Sequence, residues 1–159
     1  MFGEDFILVI GAGNDFRSDD AVGPVAAKKI FQIFPEQVKL IKSISDSTHL
    51  IEEWKKYKYV YFIDAIRSGA RPGTVFRYDA LEEEIPEEIV SDISTHSFNL
   101  KDTIELGRKL GRLPENLIIF GIEGKNFEYG TEFSDEIKPA IGSIIIKIKR
   151  EIDELAYVS

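Results

Sequence analysis

Phe6-Ile7-Leu8-Val9-Ile10 runs directly into Gly11-Ala12-Gly13-Asn14, and Ser18-Asp19-Asp20-Ala21-Val22-Gly23 follows a few residues later. Consecutive apolar residues with no polar alternation suit a strand covered on both faces, and such strands belong to parallel sheets flanked by helices. Ala21 to Phe34 reads as the helix that comes next, stopped by Pro35. A strand, a glycine loop and a helix in that order open an α/β fold.

Working outward, Val38 to Ile44 is a second strand and Thr48 to Lys56 a short helix, before Tyr59 to Ile63, a third strand that ends in Asp64. Too few residues separate Asp64 from the β-rich segment Thr74 to Tyr78 for a helical crossover. That fourth strand is therefore expected to run antiparallel, with Arg71-Pro72-Gly73 supplying the turn. The acidic stretch Leu81 to Glu88 reads as solvated surface. Ser97 is placed to cap a helix from Phe98 to Leu110, and Leu117 to Ile122 is a fifth strand. Ser134 is placed to cap a closing helix, in which Ile137, Ile141, Ile144, Ile148, Ile152 and Leu155 form one apolar stripe; Pro139 falls in its first turns, where a missing N–H costs least. No repeat or linker interrupts the pattern. The expectation is a single α/β domain over 1–159, a three-layer sandwich whose mainly parallel five-stranded twisted sheet has one antiparallel strand and helices on both faces.

With 159 residues, 43% of them hydrophobic, the chain can bury one sizeable core. Its 20 Lys and Arg against 28 Asp and Glu give a formal charge of −8, a field that repels nucleic acid and anionic membrane surfaces. The absence of cysteine removes disulfides, thiolate metal sites and thiol nucleophiles. Two acids, Glu4 and Asp5, precede the first apolar run, so neither a basic signal region nor a membrane span is read there, and the expected location is the cytoplasm.

Ligands of such folds bind beyond the carboxyl ends of the parallel strands. Asn14, Asp19 and Asp20 follow the first strand, Asp46 the second, Asp64 the third and Glu123 the fifth. A dinucleotide site is one reading of Gly11-Ala12-Gly13, but Phe16 stands where the third glycine belongs, and Asp19 and Asp20 would repel a pyrophosphate. A metal-recognising site is the other. Asp20 and Asp64 would approach across adjacent strand ends, and His96, in Ser94-Thr95-His96-Ser97, would close over them. Two carboxylates and an imidazole suit a divalent ion with open positions. Each residue also has a local reading: Asp19 or Asp20 as a helix cap, Asp64 as a loop brace, His96 as an exposed loop residue. His49 reads as a capping or surface residue, and with no G-x-S-x-G elbow a serine triad has no support.

Taken together, Gly11-Ala12-Gly13-Asn14, Ser18-Asp19-Asp20-Ala21-Val22-Gly23, Asp64-Ala65, Pro72-Gly73-Thr74, Ser94-Thr95-His96 and Phe120-Gly121-Ile122-Glu123 resemble the hydrogenase maturation endopeptidases. The resemblance runs from Ile7 to the closing helix. It implies a five-stranded α/β sandwich, and an endopeptidase that removes the C-terminal extension from the precursor of a nickel-iron hydrogenase large subunit after nickel insertion. By position it implies Asp20, Asp64 and His96 as the catalytic and metal-contacting residues, with nickel carried by the substrate rather than resident in the enzyme. Relatives often have glutamate where this chain has Asp20. Where they commonly have Asp-Gly-Gly-Thr, this chain has Asp46-Ser47-Thr48; Asp46, Asn14 and Glu123 are secondary candidates. The other readings are a non-enzymatic metal-binding chaperone of hydrogenase assembly and a nucleotide-binding domain.

Overall fold

Strand β1 (Ile7–Gly11) is buried along its whole length, as a run without alternation demands. The computed structural model describes residues 6–42, 44, 46–86 and 99–158. After β1 come a 3₁₀ turn (Ser18–Ala21), α1 (Val22–Ile33), β2 (Val38–Ile41), α2 (Ser47–Trp54), β3 (Tyr59–Ile66), β4 (Val75–Asp79), α3 (Leu100–Leu110), β5 (Asn116–Glu123) and α4 (Ile137–Val158). The five strands form one sheet in the order β2-β1-β3-β5-β4. β1 pairs in parallel with β2 and β3, and β3 with β5, while β4 lies antiparallel on β5, as its short connection required.

Alternation along the central strands divides the core into two layers. Ile7, Val9, Tyr61, Ile63, Ile118 and Phe120 face α1 and α4, where Ile30, Ile144 and Ile148 meet them. Leu8, Ile10, Val60, Phe62, Leu117 and Ile119 face α2 and α3, where Leu50, Trp54 and Ile104 meet them. Helices thus cover both faces, and the stripe read along the closing helix is the buried side of α4. Among the described residues no helix is long and apolar enough to cross a membrane.

Several boundaries differ from the sequence pattern, for local reasons. β3 continues to Ile66, so Asp64 lies inside the strand, opposite Gly121, rather than at its end. β2 stops at Ile41. α3 begins at Leu100, capped by Asn99, whose side chain accepts the Asp102 N–H at 3.0 Å; Ser97 and Phe98 lie outside the described residues. Ser134 does not use its hydroxyl to cap α4: its carbonyl accepts the Ile137 N–H, and its hydroxyl is given to Asp19. In the acidic stretch, Glu83 folds back to accept the Asp79 N–H at 2.7 Å, and residues 87 and 88 lie outside the described ones.

Candidate functional site

The sheet order makes β1 and β3 neighbours at its centre, and the loop after β1 is pressed onto β3 at Ile63, beside Asp64. Ala12 donates its N–H to the Ile63 carbonyl at 2.9 Å. Glycine is required for this approach. A Cβ on Gly23 would stand 2.2 Å from the Ala12 oxygen and 2.5 Å from the Ile63 oxygen, and Gly13, at φ +134°, would place one 2.0 Å from the Asp20 carbonyl. These glycines bring the loop against the turn Ser18–Ala21. The backbone that a dinucleotide reading would lay against a pyrophosphate is already packed on Asp20, which removes that reading's main support.

Asp19 and Asp20 diverge at this turn, and neither caps α1, whose N-cap Ala21 receives no side-chain hydrogen bond. Asp19 has no exposed surface. It accepts the N–H groups of Lys125, Asn126 and Ser134 and the Ser134 hydroxyl, all at 2.8 Å. Burial alone would raise its pKa, but the bonds from Ser134, Asn126 and Lys125 outweigh it and hold the carboxyl below the ordinary aspartate range. Asp19 therefore fastens the loop between β5 and α4 to the site. The sequence offered no sign of this, because its donors are backbone groups more than a hundred residues away.

Asp20 is only partly buried, and its Oδ2 accepts the Asn14 N–H at 2.8 Å. Asn14 contributes through that backbone group, while its side chain accepts the Phe16 N–H within its own turn. Asp64 is buried, with 7% of its surface exposed. That burial, and then the charge of Asp20, hold its carboxyl well above the ordinary range against the lowering effect of the Ala65 N–H. The two acids read from the sequence thus share one electrostatic site, in which burial and the neighbouring carboxylate both work against ionisation of Asp64. A cavity of about 180 Å³, lined by Arg17, Asp20, Ala65, Ile66, Arg67 and Phe127, opens beside them.

The remaining candidates have other partners. Asp46 is the N-cap of α2 and accepts the His49 N–H at 2.8 Å, so His49 belongs to the capped first turn. Glu123 is buried and accepts the Ser68 N–H at 2.9 and 3.1 Å and the Ser68 hydroxyl at 2.5 Å; it braces the turn after β3. His96 lies outside the described residues. Among the described residues no three His, Cys, Asp or Glu side chains gather as a metal cluster.

An α/β sandwich with a buried and a half-buried aspartate side by side at the switch point of its sheet defines a carboxylate-centred site. The family model for hydrogenase maturation protease matches residues 26–151. The hydrogenase 2 maturation protease of Escherichia coli is 28% identical over 125 residues, covering 77% of this chain and 75% of that protein. The hydrogenase expression/formation protein HupD of Thiocapsa roseopersicina is 24% identical over 138 residues; the match covers 85% of this chain but 60% of HupD's length. Among solved structures, the hydrogenase maturating endopeptidase HybD from E. coli shares the fold, with a TM-score of 0.74 and 22% identity over 94% of this chain and 93% of that one. The chain belongs to the hydrogenase maturation protease family, and its class of chemistry is peptide-bond hydrolysis in hydrogenase maturation.

Proposed function

We propose that this protein removes the C-terminal extension from the precursor of a nickel-iron hydrogenase large subunit after nickel insertion, with Asp20, Asp64 and His96 reading the substrate-borne ion. The reading rests above all on one observation: the buried carboxyl of Asp64 on β3 adjoins the more accessible Asp20, which follows β1, at the switch point of the sheet. A buried acid of this kind releases its proton when a divalent cation arrives, so the pair answers to a metal-loaded substrate and not to an empty one. Asp20, oriented by the Asn14 N–H, then takes the proton of an attacking water. The water oxygen bonds to the peptide carbonyl carbon, the C–N bond breaks, and the departing amine takes from Asp20 the proton that the water gave up. A cytoplasmic location is part of this proposal, in keeping with a chain that has no cysteine.

Mass spectrometry of a nickel-loaded precursor, before and after incubation, tests the reading. Wild-type protein is expected to shorten the precursor at its C-terminus. Asp20→Asn and Asp64→Asn, which remove a charge without removing volume, are expected to leave it intact while remaining folded. A precursor unchanged by the wild type, or full activity in either variant, would overturn the proposal.

A further inference from the structure

Arg17 and Arg67 line the same cavity as Asp20, and both also line a second cavity of about 600 Å³ that runs along Gly124 to Tyr129. Each guanidinium lies over an aromatic ring. The Arg17 Cζ is 4.3 Å from the Tyr129 ring centroid, with Nη2 donating to the Tyr129 hydroxyl at 3.0 Å, and the Arg67 Cζ is 4.1 Å from the Phe127 centroid. Stacking fixes the plane of a guanidinium and leaves most of its N–H edge free to take a planar anion. Among the described residues neither arginine forms an ion pair, although carboxylates outnumber cations in the chain and Asp20 lines the same cavity. Arg77, Arg108 and Arg112, by contrast, each hold a glutamate. The aromatic plates are themselves anchored, because the bonds to Asp19 fasten both ends of the segment that carries them.

We propose that Arg17 and Arg67 form a clamp for an aspartate or glutamate side chain of the substrate polypeptide, close to the bond that is cut; this rests on the peptidase reading above. A carboxylate fits better than a phosphate, because Asp20 and Glu128 line these cavities and the molecule carries −8, which disfavours a dianion more than a monoanion. A side chain fits better than a chain terminus, because the second cavity is lined by Gly124 to Tyr129 as well as by the two arginines and is thus larger than one carboxylate needs.

The first test needs no cleavage. Heptapeptides blocked at both ends, with a central aspartate or a central asparagine, are titrated while the arginine Nε–Hε resonances of Arg17 and Arg67 are followed, assigned through Arg17→Gln and Arg67→Gln. The aspartate peptide is expected to shift both resonances and to bind about tenfold more tightly than the asparagine peptide, with either Gln variant losing about that factor. Arg→Lys is expected to restore only part, because it keeps the charge and loses the fork. Equal binding of the two peptides overturns the clamp; tighter binding of an asparagine peptide with a free C-terminus, or of inorganic phosphate, overturns its assignment to a side chain. In the second test, cleavage of nickel-loaded precursor by Arg67→Gln is expected to show KM raised about tenfold with kcat within about twofold; an unchanged KM overturns the clamp. If the wild type does not cut the precursor, the proposed function fails while the peptide titration still decides the clamp.

Discussion

Asp19 and Asp64 are the same residue type, and their surroundings drive their carboxyls in opposite directions. Four donors surround the Asp19 carboxylate and outweigh its burial, so the charged form is favoured; around Asp64 burial and a second carboxylate favour the neutral form. Asp19→Asn turns an amide NH₂ toward N–H groups and is expected to cost about 3 kcal/mol, read as a lower urea midpoint at pH 7. Because the folded pKa of Asp19 is depressed, its contribution is fully present above the unfolded value of about 3.9 and is lost as pH falls through the folded value. The gap between wild type and variant is therefore expected to narrow only in strong acid, and a gap that narrows between pH 7 and pH 5 contradicts this assignment. Asp64 has the opposite sign: its raised folded pKa means that stability is lost as pH rises from the unfolded toward the folded value. Asp64→Asn is expected to raise stability by about 1 kcal/mol at pH 7, with the advantage shrinking as pH falls toward 4. An Asn variant less stable than wild type at pH 7 would show that the carboxylate is held in charged form.

At the level of elements, α1 shows how a good helix residue can be the wrong one. Gly23→Ala would gain about 1 kcal/mol of helix propensity, but the new Cβ meets the Ala12 and Ile63 carbonyl oxygens at 2.2 and 2.5 Å. Those are backbone atoms that cannot rotate aside, and overpacking of this kind costs about 1–3 kcal/mol or more. Thermal unfolding is expected to show a net loss of about 2 kcal/mol; a raised Tm would mean that α1 can slide away from the strand ends. The strands were legible because the apolar runs in β1, β3 and β5 and the short link before β4 have only one arrangement that buries them. Boundaries were less legible. The start of α3 is set by Asn99, and the end of β3 by pairing of Asp64 to Ile66 with β5, which overrides the polarity of Asp64. Asn99→Ala is expected to cost about 1 kcal/mol, the usual worth of such a cap.

On the scale of the whole molecule, the sheet order decides which strand-end acids converge. β1 and β3 are central neighbours, so Asp20 and Asp64 meet, whereas Asp46 follows the outer strand β2 and caps α2, and Glu123 ends β5 and braces Ser68. The sequence put Asp20 and Asp64 after separate strands, and only the sheet order, with β1 beside β3, puts them side by side. The role of Glu123 was not legible, since its partner Ser68 is 55 residues away in sequence, whereas Asp46 stands directly before α2, where an aspartate commonly caps. In the proposed function the ion belongs to the substrate. Asp20 and Asp64 bring two charged donors, and His96 would bring a third from a separate segment, which leaves half of an ordinary divalent shell to be filled from elsewhere. If the precursor fills it, nickel binds the isolated protein only weakly and belongs to the substrate. Enzyme and precursor are to be dialysed separately against chelator, nickel restored to one at a time with the excess removed, and the mass of the precursor followed. Cleavage is expected only when the precursor has been reloaded, and reloading the enzyme alone is expected to give none. Shortening of nickel-free precursor by nickel-treated enzyme would instead assign the ion to the enzyme, and would require these few donors to hold it through dialysis.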